Sequence, residues 1–203
     1  MGKIFYVMGK SSSGKDTIYK KLRERDKSLM TVVPYTTRPI REGESEGVEY
    51  FFVGQETLDG MRAEGRIIEE RSYDTKCGVW TYFTADDGQI NLSRHDYLMI
   101  GTLVSCAALK KYFGEEKVVP VYIQVEDGER LSRALAREQR EARPKYAELC
   151  RRYLADEEDF SEDRLKDMGI ETRFDNDDLE KCLDKICGYI RENKSKNKKT
   201  CNS

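Results

Sequence analysis

A chain of 203 residues, 38% hydrophobic and 36% charged, has the size and apolar content of one compact domain, or of a core carrying small inserted lobes, and is too short for a multidomain scaffold. Its 36 Lys and Arg nearly cancel its 38 Asp and Glu, so no whole-chain charge draws it to nucleic acid or to an anionic membrane, and any phosphate recognition has to be local. The most apolar stretch, 97–104, is broken by Gly101 and Thr102 and is far shorter than the roughly 20 residues of a spanning helix.

The chain enters a strand at once, without a signal peptide, which leads us to expect a cytoplasmic protein with neither nucleic acid nor membrane as partner. Residues 3–8 are apolar and β-branched or aromatic, a Gly/Ser cluster follows, and 17–22 reads as a helix. Further strands are expected at 31–33, 97–100 and 118–125, and helices at 104–112, 128–140 and 145–159. Strands alternating with helices imply an α/β fold with a largely parallel sheet flanked by helices. Between 35 and 84 the texture changes to glycine-punctuated short strands around one helix near 55–63, which reads as an inserted lobe. Residues 137–145 gather Arg137, Arg140, Arg143 and Lys145 around the helix breaker Pro144, either a solvated linker or a mobile arginine lid. A last helix near 177–193 carries Leu179, Leu183, Ile186 and Ile190 on one face. The division expected is a core of 1–34, 85–136 and 160–192, a lobe of 35–84, a lid of 137–159, and a disordered basic tail of 193–203.

The cysteines, Cys77, Cys106, Cys150, Cys182, Cys187 and Cys201, form no C-x-x-C pair and read as structural thiols. With His95 the only histidine, a zinc cage or a histidine relay has nothing to be built from. Lysines, arginines, carboxylates, hydroxyls and backbone amides remain, the groups that handle phosphate.

Gly9-Lys10-Ser11-Ser12-Ser13-Gly14-Lys15 fits G-x-x-x-x-G-K, in which glycines let consecutive N–H groups turn around an anion and the lysine reaches the terminal phosphates. It ends a strand and opens a helix, where the helix's N-terminal partial charge adds to anion binding. Asp16 stands where the full motif has a hydroxyl for Mg²⁺, and Thr17 follows; a carboxylate also binds Mg²⁺. A second cluster, Arg38, Arg41, Glu44 and Tyr50, offers two guanidinium forks and a phenol, which suit either a compact monophosphate or an ordinary exposed surface.

Taken together, these motifs resemble the guanylate kinase family, P-loop enzymes that move the γ-phosphoryl group of ATP onto GMP. Residues 36–52 satisfy every specified position of T-[ST]-R-x-x-[KR]-x-x-[DE]-x-x-G-x-x-Y-x-[FY], and weaker similarity extends over 3–190. The resemblance implies a P-loop kinase fold with an inserted GMP-binding lobe and a helical lid. It implies that Lys15 and the loop from Gly9 to Thr17 hold the ATP phosphates, that Arg38, Arg41 and Tyr50 hold the GMP phosphate, and that Glu69 with Tyr82 and Thr84 form the guanine site. Arg137 and Arg151 resemble lid arginines that neutralise transition-state charge, and Asn176 resembles a residue near the adenine, although Asn176-Asp177-Asp178-Leu179 also reads as a helix cap. A carboxylate beside a hydroxyl complements the N1–H, N2–H₂ and O6 of guanine, whereas adenine leaves that carboxylate unpaired.

Three positions depart from the family pattern. Gly101 takes the place of an aspartate that organises Mg²⁺, Pro34 that of a serine near the GMP phosphate, and the stretch between Glu69 and Tyr82, containing Trp80, is about four residues longer than usual. One acid is absent at 101 and another is present at Asp16, which makes Asp16 the expected Mg²⁺ ligand and, with Lys15, Arg137 and Arg151, a catalytic residue. The expected activity is Mg²⁺-dependent phosphoryl transfer from ATP to GMP or dGMP by a monomer or homodimer. The alternatives are a kinase of the same fold acting on another small phosphorylated acceptor, and a non-catalytic binding module.

Overall fold

The computed structural model describes residues 1–75 and 78–199; Cys77, Cys201 and the end of the expected tail lie outside them. Five parallel strands form the central sheet in the order β2-β7-β1-β8-β9, namely β1 (Ile4–Met8), β2 (Leu29–Thr31), β7 (Asp96–Gly101), β8 (Val118–Gln124) and β9 (Arg173–Asp175). Strand β1 lies in the middle, and its alternating side chains serve two cores. Ile4, Tyr6 and Met8 pack with Leu103, Cys106 and Leu109 of α3 (Leu103–Phe113) and with Leu165 of α6 (Glu162–Asp167). Phe5 and Val7 face Ile18 and Leu22 of α1 (Lys15–Arg25) and Leu183, Ile186 and Ile190 of α7 (Leu179–Lys199). Each fully buried Leu or Ile removes apolar surface worth about 1.5–3 kcal/mol, which is what holds helices on both faces of the sheet.

A second sheet, in the order β4-β3-β6-β5, is built from β3 (Tyr35–Thr36), β4 (Phe51–Phe52), β5 (Ile67–Thr75) and β6 (Gly78–Ala85). It has its own small core, in which Leu58 of α2 (Gln55–Ala63) meets Phe83 and Ala85. The added length between Glu69 and Tyr82 forms the far end of the β5–β6 hairpin, where Tyr73 stands opposite Trp80. Pro34, for its part, accepts the Phe51 N–H on its carbonyl at 2.9 Å and so helps seat β4. The remaining helices are α4 (Asp127–Glu138) and α5 (Tyr146–Asp159).

Two short elements were not expected from the sequence, β9 and α6, both too brief to show a period. Helix α7 also runs on to Lys199, past the point at which the sequence reading places a disordered tail. The reason is visible at its last described side chains: Asn193 donates to the Tyr189 carbonyl at 2.9 Å, and the Lys194 ammonium reaches Asp26 at 2.9 Å, which ties this turn to the end of α1. His95 is an exposed turn residue whose N–H bonds the Asn91 carbonyl, and Cys106 and Cys182 are buried free thiols.

At the C-terminal end of β7 the backbone of Gly101 touches a phenol. A Cβ there would lie 2.0 Å from the Tyr6 oxygen and 3.0 Å from its ring carbon. The aspartate that the family carries therefore has no room here, because Tyr6 of the neighbouring strand already fills the space. Burial raises the Tyr6 pKa far above that of an ordinary phenol, so the group stays neutral. Gly101→Ala is expected to destabilise by about 1–3 kcal/mol through this overlap, and adding Tyr6→Phe should recover part of it. Thermal unfolding of the two single variants and the double variant checks this, and strictly additive losses would contradict the contact.

Candidate active site

The turn between β1 and α1 is drawn tight. Gly14 has φ 84°, a left-handed conformation, and a Cβ on it would lie 2.4 Å from the Asn176 amide nitrogen. That amide is buried and donates to the Ser13 carbonyl at 2.8 Å, while the Asn176 carbonyl accepts from Arg133 at 3.1 Å. Asn176 thus fastens the loop to β9 and α4, and the cap of α7 is made instead by Asp178, which accepts the Lys181 N–H at 3.1 Å. Ser12 adopts φ 65°, and the hydroxyls of Ser12 and Ser13 are buried without a hydrogen-bond partner among the described residues. Buried unpaired donors aimed into a loop at a helix N-terminus are what an oxyanion would satisfy.

Lys15 and Asp16 open α1. The Lys15 ammonium stands 3.6 Å from the Asp16 carboxylate, whose side chain is 77% exposed. Thr17 is exposed one residue further along the same turn. Among the described residues no group of three or more His, Cys, Asp or Glu side chains could hold a metal ion by itself. One exposed carboxylate beside this loop nevertheless fits Mg²⁺, which takes most of its ligands from phosphates and water.

Helices α4 and α5 bring carboxylates to this loop. Asp156 of α5 accepts the Ser11 N–H at 2.8 Å, and Glu157 takes the Lys10 ammonium at 2.7 Å, with Asp127 at 3.4 Å. Arg130 of α4, 1% exposed, joins these carboxylates: it bonds Asp127 at 3.1 Å, Asp156 at 3.4 Å and Glu157, with its guanidinium 4.0 Å over the Tyr153 ring. Arg137 comes to the loop beside Ser11 and Ser12, together with Leu149 and Arg152. Arg151 does not. Its side chain is 65% exposed and is paired with Glu148 at 2.7 Å; Arg152, 43% exposed and 3.6 Å from the same carboxylate, is the one of the two that lines the space beside Ser11 and Ser12. The signal was present in the sequence, because Arg152 lies three residues after buried Leu149 on one helical face, whereas Arg151 lies off it.

The second cluster sits on the lobe. Arg38 is 3% exposed and grips Glu44 through both terminal nitrogens, at 2.7 and 2.5 Å, beneath the rings of Tyr50, Phe52 and Tyr82. Its Nε is buried and unpartnered. Arg41 is exposed, with its guanidinium 5.9 Å from the Trp80 ring centre, and the Tyr50 and Tyr82 rings meet edge-on at 5.5 Å. Hydrogen bonds from Arg38 pull the Glu44 carboxyl down to about 2.

Where the lobe meets the core, Glu69 of β5 is 7% exposed. Its Oε1 accepts from the Thr84 hydroxyl at 2.9 Å, and its Oε2 accepts from Ser105 of α3 at 2.8 Å and from Arg71 Nε at 3.2 Å. Sequence reasoning reached Glu69 and Thr84 but missed Ser105 and Arg71. Arg71 was legible as the next residue on the same face of the strand, whereas Ser105 arrives from a distant helix.

The β1–α1 loop lies at the C-terminal end of a central parallel strand, where open α/β sheets bind ligands, and it defines a P-loop nucleotide-binding protein. A family model described as guanylate kinase matches residues 1–193, and the chain belongs to the guanylate kinase family. The guanylate kinase of Parasynechococcus marenigrum (strain WH8102) is 29% identical over 203 residues, spanning 94% of this chain and 98% of that protein. That of Legionella pneumophila (strain Lens) is 43% identical over 68 residues, so there the chain spans about a third of the relative, 32% of its length. A crystal structure of guanylate kinase from Anaplasma phagocytophilum superposes with a TM-score of 0.66 at 21% identity, covering 94% of this chain and 85% of that one, and shows the same fold. No helix among the described residues is long and apolar enough to cross a membrane.

Two outcomes follow from the ion pairs. Arg130→Met should cost about 3 kcal/mol, since it leaves three carboxylates facing one another; an unchanged denaturant midpoint would contradict the network. For Glu44 the folded pKa is depressed, so its stabilising contribution is present above the ordinary value of 4.5 and is lost as pH falls toward 2. The difference in melting temperature between the wild type and Glu44→Gln should accordingly be present at pH 7 and vanish on acidification; a difference independent of pH would exclude the pair as its origin.

Proposed function

We propose that this protein transfers the γ-phosphoryl group of ATP to GMP or dGMP, releasing ADP and GDP or dGDP. The observation that carries the acceptor assignment is Glu69, a buried carboxylate held by three donors at the foot of the lobe sheet, with the Arg38 and Tyr50 cluster farther out on the same lobe. A guanine N1–H and N2–H₂ edge finds acceptors at Glu69, and adenine, which offers an acceptor at N1, does not. Tyr82 and Thr84 complete that base site, and Arg38, Arg41 and Tyr50 receive the monophosphate.

Lys15, the N–H groups of the loop and the Ser12 and Ser13 hydroxyls receive the phosphates of ATP, and Asn176 keeps Gly14 and Ser13 in the cradle's shape. An oxygen of the GMP phosphate attacks the γ phosphorus as the bond to the ADP oxygen breaks. The chain's part is to hold the two anions in line and to balance the charge that spreads over the transferring group. Arg137 and Arg152, which line the space beside the loop, are the cations we assign to that role in preference to the exposed Arg151. Asp16 is the side chain that would hold Mg²⁺, which would supply charge neutralisation at the ATP phosphates. The division into core, lobe 35–84 and lid 137–159 accords with two substrates approaching from two sides.

The test is ADP release from Mg-ATP with GMP, dGMP, AMP, CMP, UMP or ribose 1,5-bisphosphate offered separately. Turnover confined to GMP and dGMP is expected, and turnover with another acceptor, or with none, overturns the reading. Lys15→Ala should lower kcat by on the order of a hundredfold or more. Asp16→Ser should lose Mg²⁺-dependent turnover, and full activity in that variant would remove Asp16 from the metal site.

A further inference from the structure

Side chains alternate along a strand, and on β6 Phe83 and Ala85 turn into the small core of the lobe, which leaves Trp80, Tyr82 and Thr84 together on the opposite face. Each of these three meets a different charged group. Thr84 donates to Glu69 at 2.9 Å, the Tyr82 ring centre lies 5.9 Å from the Arg38 guanidinium, and the Trp80 ring centre lies 5.9 Å from that of Arg41. Trp80 can reach Arg41 because the hairpin runs on past Tyr82 to another pair on this face, Tyr73 opposite Trp80.

Arg41 is the cation that lacks a partner. Arg38 is buried, gripped by Glu44 and covered by three rings. Arg41 is exposed; its main-chain N–H bonds Glu44 at 2.9 Å, but its guanidinium has no hydrogen bond or ion pair among the described residues. A long side chain left free in water has to be ordered before it can grip an anion, and that lost freedom weakens binding. An indole is the best of the aromatic faces at attracting a guanidinium, over a reach of about 6 Å. It holds the cation without neutralising it, which a carboxylate would do. The position is also one that serves two cations at once: the Glu44 carboxyl is held down by hydrogen bonds from Arg38, then by the Arg41 N–H and by the charges of both arginines, so both address a single anionic group.

On the reading that Arg38, Arg41 and Tyr50 receive the acceptor's phosphate, we propose that Trp80 is a positioning residue for that phosphate: its ring holds the Arg41 guanidinium, charged and unpaired, on the side of the lobe where Arg38 stands, so that the two arginines meet a monophosphate dianion together. Trp80 acts through Arg41 and makes no contact of its own with the acceptor.

The experiment measures kcat and the KM for GMP and for ATP in the wild type, Trp80→Leu, Trp80→Phe, Arg41→Met and the double variant Trp80→Leu/Arg41→Met. A leucine side chain keeps apolar bulk but has no ring face, so Trp80→Leu should raise the KM for GMP by about threefold, with kcat and the KM for ATP little changed. Trp80→Phe should lie between the two. In the Arg41→Met background the ring has no cation to hold, and Trp80→Leu should add nothing further. Additive losses would assign Trp80 to the hairpin's own packing and overturn the proposal. Trp80 is the only tryptophan of the chain, so its fluorescence gives a second readout that needs no substitution at 80. GMP should alter the emission of the wild type, and Arg41→Met should abolish that change at saturating GMP. A wild-type emission indifferent to GMP, or a response kept in full by Arg41→Met, is contrary even if the Trp80 variants fail to fold. A wild type that turns over no GMP would be the failure of the acceptor reading itself, visible before any variant is compared, and would overturn the proposal with it.

Discussion

Everything at this site depends on the turn that leaves β1 and becomes α1. It is fixed where Gly14 lies against the Asn176 amide, which holds the Ser13 carbonyl, so the loop is anchored to β9 and its buried serine hydroxyls stay turned inward without partners. That arrangement is costly unless an anion completes it. The parallel sheet supplies the rigidity that makes it tolerable, since β1 is paired on both sides and packed on both faces.

Around that turn the protein manages opposed charges with little help from its net charge. Arg38 is stored against Glu44 under three aromatic rings, and Arg130 gathers three carboxylates beside the loop. Such pairs do little for stability in themselves, but they hold cations and anions ready in places where water is scarce. Lys10 and the Ser11 N–H are engaged by Glu157 and Asp156, so α5 supplies this loop with carboxylates.

Much of this was legible in the sequence. The α/β class, the central strands, the loop and the inserted lobe follow from periodicity and from motifs whose residue types are required at fixed spacing. Two kinds of feature were not. One is short structure with no period, such as β9 and α6. The other is complementarity between distant segments: nothing near Gly101 says that Tyr6 of β1 fills its space, and nothing near Ser11 says that Asp156 will bond it. The exchange of Arg151 for Arg152 is different in kind, because the phase of α5 relative to Leu149 was available and decides between two adjacent arginines. At the base site the sequence pointed to Glu69 and Thr84, but only the structure shows that the Thr84 proton is already given away.

The central claim is that Glu69, a buried carboxylate on the lobe sheet, selects guanine. Calorimetric titration of the free protein with GMP and with AMP, at one salt concentration and without ATP, tests it most directly, because both nucleotides carry the same phosphate and sugar. The account predicts that GMP binds at one site and that AMP binds weaker by about a hundredfold or more, since adenine sets an acceptor, N1, against the Glu69 carboxylate where guanine sets a donor. Equal affinity for the two would contradict it.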